Sequence, residues 1–242
     1  MGSFRLLVRA GSAWATLSTI SALSASAYGQ TPDISGTYWA TEYRAKIEIV
    51  GGGELPLTAA GKEAYEKNIA GLKDGSIIDA ARRYCVADGL PRVLATPYPF
   101  AIFQAPPGQI TIVYELNHQV RVIAMDKPLP SEDELTTLPF YNGHSVGHFE
   151  GDTLVIETAG FNDLGWLDAR GTGHSADMRV EERFRRRDYG HMDLTITITD
   201  PQTFTRPITF SVVEELLPDT DLFEHYCLEN EKDDARFPGR AR

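Results

Sequence analysis

The residues best suited to chemistry in this sequence are acid–base groups. His144 and His174 each sit beside a glycine at a loop-to-strand junction, where a turn can aim an imidazole that titrates near neutral pH. Asp168 lies in the loop between them, two residues after Trp166. Glu182 falls mid-strand. Strict alternation puts it on one face with Met178, Val180 and Phe184, while Arg179, Glu181, Arg183 and Arg185 take the other, solvated face. A carboxyl among apolar neighbours has a raised pKa and is a candidate general acid or base. Glu115 follows Tyr114 in another strand and shares its face with Thr111 and Val113. The competing expectation for Glu182 and Glu115 is a structural ion pair, with Arg121 or Arg183 as the partner. Trp166, Tyr114 and Phe161 are the candidate walls of a substrate pocket around this set.

Other chemistries have less support. There is no phosphate-binding glycine loop, no HExxH and no CxxC. Gly143, Ser145 and Gly147 have the spacing of a hydrolase nucleophile elbow, but a strand and hairpin follow where the elbow needs a helix. His144 and His148 fall on one face of a strand, with His174 as an outside third ligand. The tight paired spacing of zinc motifs is missing, so no metal is expected. An organic cofactor is not expected either.

These residues hang on a succession of strands. A first strand is expected at Asp33–Trp39 and a short alternating one at Lys46–Val50. A helix is expected over Thr58–Leu72, with Thr58 as N-cap and Gly71 or Gly75 as its stop. Cys85–Pro99 reads as an ordered loop. Strands follow at Phe100–Gln104, Gln109–Leu116 and Gln119–Met125, then a proline-rich loop over Lys127–Pro139. His144–Phe149 and Asp152–Thr158 form a hairpin, as do Met178–Arg187 and Met192–Thr199. Ile208–Glu215 and Leu222–Leu228 are expected to pair through Pro218-Asp219. About ten strands joined by short turns imply antiparallel neighbours. The expected fold is mainly β: an antiparallel up-and-down barrel of the lipocalin or calycin type, which leaves no open edge, with one short N-terminal helix. A two-sheet sandwich is the alternative.

Residues 1–27 read as a secretory signal. Arg5 and Arg9 precede an apolar run from Ala10 to Leu23, and Ala25-Ser26-Ala27 has the small-x-small form of a cleavage site. The run is too short and polar to span a membrane. Residues 28–242 then form a single β domain, periplasmic or secreted. Lys plus Arg total 23 against 34 Asp plus Glu, a formal net charge of −11. An acidic surface repels phosphate backbones, so nucleic acid and anionic membranes are not expected partners. The chain has 2 cysteines, Cys85 and Cys227. In an exported protein one disulfide is the simple assignment, two buried thiols the alternative. A bridge closing so long a loop contributes roughly 4–5 kcal/mol in the chain-entropy account.

Tyr141-Asn142-Gly143-His144-Ser145-Val146-Gly147, Glu150-Gly151-Asp152-Thr153-Leu154-Val155, Gly160-Phe161-Asn162-Asp163, Gly173-His174-Ser175 and Glu182-Arg183-Phe184 together resemble a large family of uncharacterised exported bacterial proteins. Thr58–Tyr65, Cys85, Glu115 and Cys227-Leu228-Glu229-Asn230 fit the same resemblance, which implies export and a shared fold but no particular activity. Gly36-Thr37-Tyr38-Trp39 is more weakly similar to the first strand of lipocalin-like barrels. Two functions follow as expectations. One is an exported, cofactor-independent lyase, isomerase or hydrolase acting on a small, largely apolar substrate. The other is a carrier for a small hydrophobic molecule. An enzyme needs a carboxylate and a histidine converging in the pocket, whereas a carrier has its carboxylates in salt bridges.

Overall fold

Alternating apolar residues and short turns produce nine strands in the computed structural model, which describes Gly2 and residues 31–225: β1 Gly36–Ala40, β2 Phe100–Phe103, β3 Gln109–Tyr114, β4 Val120–Met125, β5 His144–Glu150, β6 Thr153–Ala159, β7 Arg179–Arg186, β8 His191–Thr199 and β9 Ile208–Leu216. They pair in sequence order, and β9 returns to β1 through Tyr38↔Leu216 and Ala40↔Glu214. The barrel is therefore closed, and the sandwich does not form. The expected signal at residues 1–27 lies outside the described residues, as do Cys227 and the end of the expected last strand. No helix among the described residues is long and apolar enough to cross a membrane.

The expected barrel needs three corrections. First, β4 and β5 are parallel, with Ile123 opposite Ser145 and Met125 opposite Gly147. The connection 126–143 runs back to the end where β4 began before β5 starts, and parallel neighbours require a crossover of that length. Second, Lys46–Val50 is not a strand. Ile47 and Ile49 are buried, but the segment is held by a hydrogen bond from Val50 N–H to the Thr209 carbonyl (2.7 Å). Third, the segment after Pro218 does not pair with β9, whose two edges are already taken by β8 and β1. It makes one isolated bridge, His225 to Leu116.

Helix α1 (Ala59–Asp74) starts where expected. The Thr58 hydroxyl accepts from Gly61 N–H (3.0 Å), and Gly75 in the left-handed conformation (φ 80°) ends the helix. Gly71 continues it, packed so tightly that a Cβ there would lie 2.5 Å from Ile77 Cγ1. Two shorter helices are unexpected, the second of them inside the segment read as a proline-rich loop. In α2 (Ala80–Tyr84) the Asp79 carboxylate caps Ala81 N–H (3.1 Å). In α3 (Glu132–Thr137) Ser131 and Glu134 form a reciprocal capping box.

Alternation decides what fills the barrel. Tyr38, Phe100, Ile112, Tyr114, Ile156, Phe184, Met192, Leu194 and Ile196 point inward and are all 0–1% exposed. The outward face of β7 carries the expected solvated arginines, paired as Arg179–Glu132, Arg183–Glu150 and Arg185–Asp152. Short hairpin turns close one end of the barrel. At the other end stand the long connections: 41–99 between β1 and β2, 160–178 between β6 and β7, and the return of the β4–β5 crossover.

Candidate functional site

The end with the long connections holds a cavity of about 1150 Å³. Its existence follows from a gap in the strand pairing. β1 leaves β9 after Thr41, whose N–H still reaches the Val213 carbonyl (2.9 Å), and the chain returns to β9 only at Val50. Between those points segment 41–50 arcs away from Phe210–Val213. Both stretches line the cavity, together with Ile77–Asp79, Ala81, Arg82, Arg92, Ala95–Tyr98, Leu116, Leu167–Ala169 and His225. The walls combine apolar side chains, among them Ile47, Ile49, Ile78, Leu167 and Val212, with charged ones such as Glu42, Arg44, Lys46 and Glu48. At one place buried Arg92 binds two buried aspartates, Asp79 at 2.6 Å and Asp88 at 3.0 Å. Burial pushes the Asp88 carboxyl up in pKa, while Arg92 pulls it back. At another, the His225 ring stands edge-on to Tyr98 at 4.8 Å, and its Nδ1 is buried without a hydrogen-bond partner.

Of the residues expected to carry catalysis, Asp168 alone lines this cavity. Its carboxylate is 3% exposed and accepts from Ile47 N–H (3.2 Å), Arg170 N–H (2.9 Å), Thr172 N–H (3.1 Å) and the Thr172 hydroxyl (2.9 Å). It ties segment 41–50 to the loop after β6 and so builds the wall. Trp166 lines a separate, smaller cavity of about 200 Å³.

His144, His174 and Glu182 do not line one cavity. His144 Nε2 lies 2.8 Å from the Leu138 carbonyl, with its ring against Phe140. His174 Nδ1 lies 3.0 Å from the Ser175 carbonyl, and its ring stands edge-on to buried Phe161 at 6.0 Å. Burial lowers the His174 pKa, so the ring favours its neutral form. Glu115 is buried and accepts from Phe223 N–H (2.8 Å), which fastens the segment after β9 to the barrel end. His148 faces exposed Glu150 at 3.3 Å. Among the described residues no group of three or more His, Cys, Asp or Glu side chains is arranged to hold a metal ion.

Glu182 instead takes part in a polar cluster inside the barrel. The Arg121 guanidinium meets both Glu182 oxygens, one at 2.8 Å, and also donates to Thr158 Oγ1 (2.8 Å) and Ser145 Oγ (2.9 Å). Glu182 is 0% and Arg121 3% exposed. The ion-pair expectation for Glu182 is thus met with Arg121. Ser145, at the centre of the elbow-like spacing, is a member of this network and begins no helix. The glycines flanking it serve packing: a Cβ on Gly143 would lie 2.7 Å from Thr158 Cγ2, and one on Gly147 2.9 Å from Ile123 Cγ2.

Two buried groups inside the barrel are left unsatisfied. The Tyr114 hydroxyl and both oxygens of Glu214 have no hydrogen-bond partner. Burial pushes the Tyr114 phenol up to about 12, against the pull of Arg121, and pushes Glu214 up to about 8. An unpaired buried polar group costs on the order of 1–3 kcal/mol, so the pair calls for a reason. Glu214 is the residue that sequence reasoning missed. The signal was present, because Ile208, Phe210, Val212 and Glu214 alternate onto one face just as Val180, Glu182 and Phe184 do.

No protein-family model matches the chain, and no curated protein matches it. Among solved structures, the crystal structure of a mutant of the fluorescent protein UnaG is similar at 14% identity, over 78% of this chain and 97% of that one, with a TM-score of 0.33.

Proposed function

We propose that the protein binds a small, largely apolar molecule in the cavity at the barrel end, as a carrier or binding protein. The observation that carries this reading is the gap between β9 and segment 41–50, which opens a cavity of about 1150 Å³ at the barrel end. Ligand sites are typically concave, with apolar walls and fixed polar groups, and this one offers an apolar surface from Ile47, Ile49, Ile78, Leu167 and Val212 beside the buried Arg92–Asp79–Asp88 group. The carboxylates also favour binding over catalysis. Glu182 is locked to Arg121, and Asp168 is occupied by hydrogen bonds from the chain. The acid–base reading needs a histidine and a carboxylate within one bridging water, and the histidines expected to supply it, His144 and His174, do not line the cavity. Binding needs no cofactor.

A saturable apolar dye such as N-phenyl-1-naphthylamine is expected to bind one-to-one with micromolar affinity. Ser211 is exposed on β9 and lines the cavity, so Ser211→Trp fills the space without touching the core and is expected to weaken the dye at least tenfold. Unchanged dye affinity in Ser211→Trp, at unchanged melting temperature, contradicts the reading.

Export and a Cys85–Cys227 bridge belong to the same proposal. Cys85 ends α2 in the left-handed conformation (φ 53°). A bridge would fasten the segment leading to the short helical turn Arg92–Ala95, and with it one cavity wall, to the chain beyond His225. Non-reducing peptide mapping of protein from an oxidising compartment should yield one linked peptide pair, and both thiols free would rule the bridge out.

A further inference from the structure

Polar atoms without partners lie in the barrel interior: the two Glu214 carboxyl oxygens, and the Tyr114 hydroxyl, which feels the Arg121 charge. Glu214 is 0% exposed. It occupies the next inward position on β9 after Val212, which lines the floor, so it sits one strand repeat deeper, roughly 7 Å. Tyr114 is placed equivalently on β3, two residues before the lining residue Leu116. The two groups interact electrostatically. The cross-strand neighbours of Glu214, Ala40 on β1 and Met192 on β8, carry no charge. The cation nearest in this interior, Arg121, is matched by Glu182. Among the described residues the barrel interior therefore holds one carboxyl in excess of its cations.

We propose that this inner end is a subsite for a primary ammonium group, and that the ligand is an amine whose apolar body fills the cavity. The inference rests on the binding function proposed above and specifies its ligand class. An ammonium group brings three N–H donors and one positive charge. Its donors match the unpaired Glu214 oxygens, and its charge favours the ionised carboxylate. A hydroxyl brings one donor and no charge, so Glu214 stays protonated, and a carboxylate places a second acid beside it. Glu214 does not itself line the cavity, so access requires the ligand end to pass Val212. The acidic chain, with a formal net charge of −11, draws cations toward the protein. With its pKa at about 8, Glu214 is mostly protonated at pH 7 when the site is empty. The arriving ammonium holds it as the carboxylate, and its proton leaves to solvent.

Isothermal titration of the full chain with octylamine, octanol and octanoate at pH 7, in two buffers of different ionisation enthalpy, tests this. Octylamine is expected to bind at least tenfold more tightly than either of the others, with net release of protons. Glu214→Gln is expected to weaken octylamine tenfold or more, abolish the proton release and leave octanol within twofold. The proposal is overturned if octanoate binds as well as octylamine, if the amine binds without releasing a proton, or if the amine preference survives in Glu214→Gln. Equal binding of all three probes overturns the ammonium subsite while sustaining the binding function. Failure of all three to bind, with the dye failing as well, overturns both.

Discussion

Arg121→Ala is expected to destabilise the barrel by about 3–5 kcal/mol, because it leaves the Glu182 carboxylate buried and unpaired. Glu182 is 0% exposed and reaches no other cation in the cluster. The same substitution also strips a donor from Thr158 and another from Ser145. Removing both charges is a different experiment. Arg121→Met with Glu182→Leu keeps the volume and takes away two desolvation penalties, so the double variant is expected to recover most of the loss. Urea unfolding of the two single variants and the double variant measures the coupling. Equal losses in Arg121→Ala and the double variant would show that the cluster acts through packing and not through charge.

Glu214→Gln is expected to make the protein more stable at alkaline pH and to leave it nearly unchanged near pH 4.5. The folded-state pKa of Glu214, about 8, lies above its ordinary 4.5 because burial penalises the charged form. Below pH 4.5 the carboxyl is neutral in both folded and unfolded chains. As pH rises from 4.5 to 8, the unfolded chain ionises and the folded chain does not, so stability falls. Above pH 8 the whole difference remains, on the order of 4–5 kcal/mol. Glutamine does not titrate, so the variant lacks this fall. Denaturant unfolding of both proteins from pH 4.5 to 8.5, without ligand, should give curves that diverge steadily with rising pH. Parallel curves would mean that Glu214 reaches water or a partner.

The barrel was legible because its hairpins are local. Gly, Asn and Asp punctuate the strands, and alternation fixes which side chains point inward. The same alternation placed Glu182 inside. Applied to Ile208–Glu214 it would have found Glu214, but the adjoining Glu215 makes that strand end look solvated. The parallel β4–β5 pair was not legible, since a crossover and a long turn look alike until their ends are placed. Helix α3 could have been read from Ser131 and Glu134, whose spacing is a capping box, but the surrounding prolines suggested a loop. The histidines misled for a different reason. Flanking glycines show that a side chain can be aimed, not where. The Leu138 and Ser175 carbonyls decide that for His144 and His174. The cavity was beyond reach, because it is made by segment 41–50 and Phe210–Val213, stretches far apart in sequence that meet only when β1 closes onto β9.

The cavity makes the most direct test one of location. Backbone amide shifts followed by NMR during titration with octylamine should move in one contiguous set: Thr41–Val50, Ile77–Arg82 and Phe210–Glu214. The hairpin turns 104–108 and 150–152 at the far end should stay fixed. Shifts centred on His144 and His174, or spread evenly over the surface, would contradict a binding site at this end of the barrel.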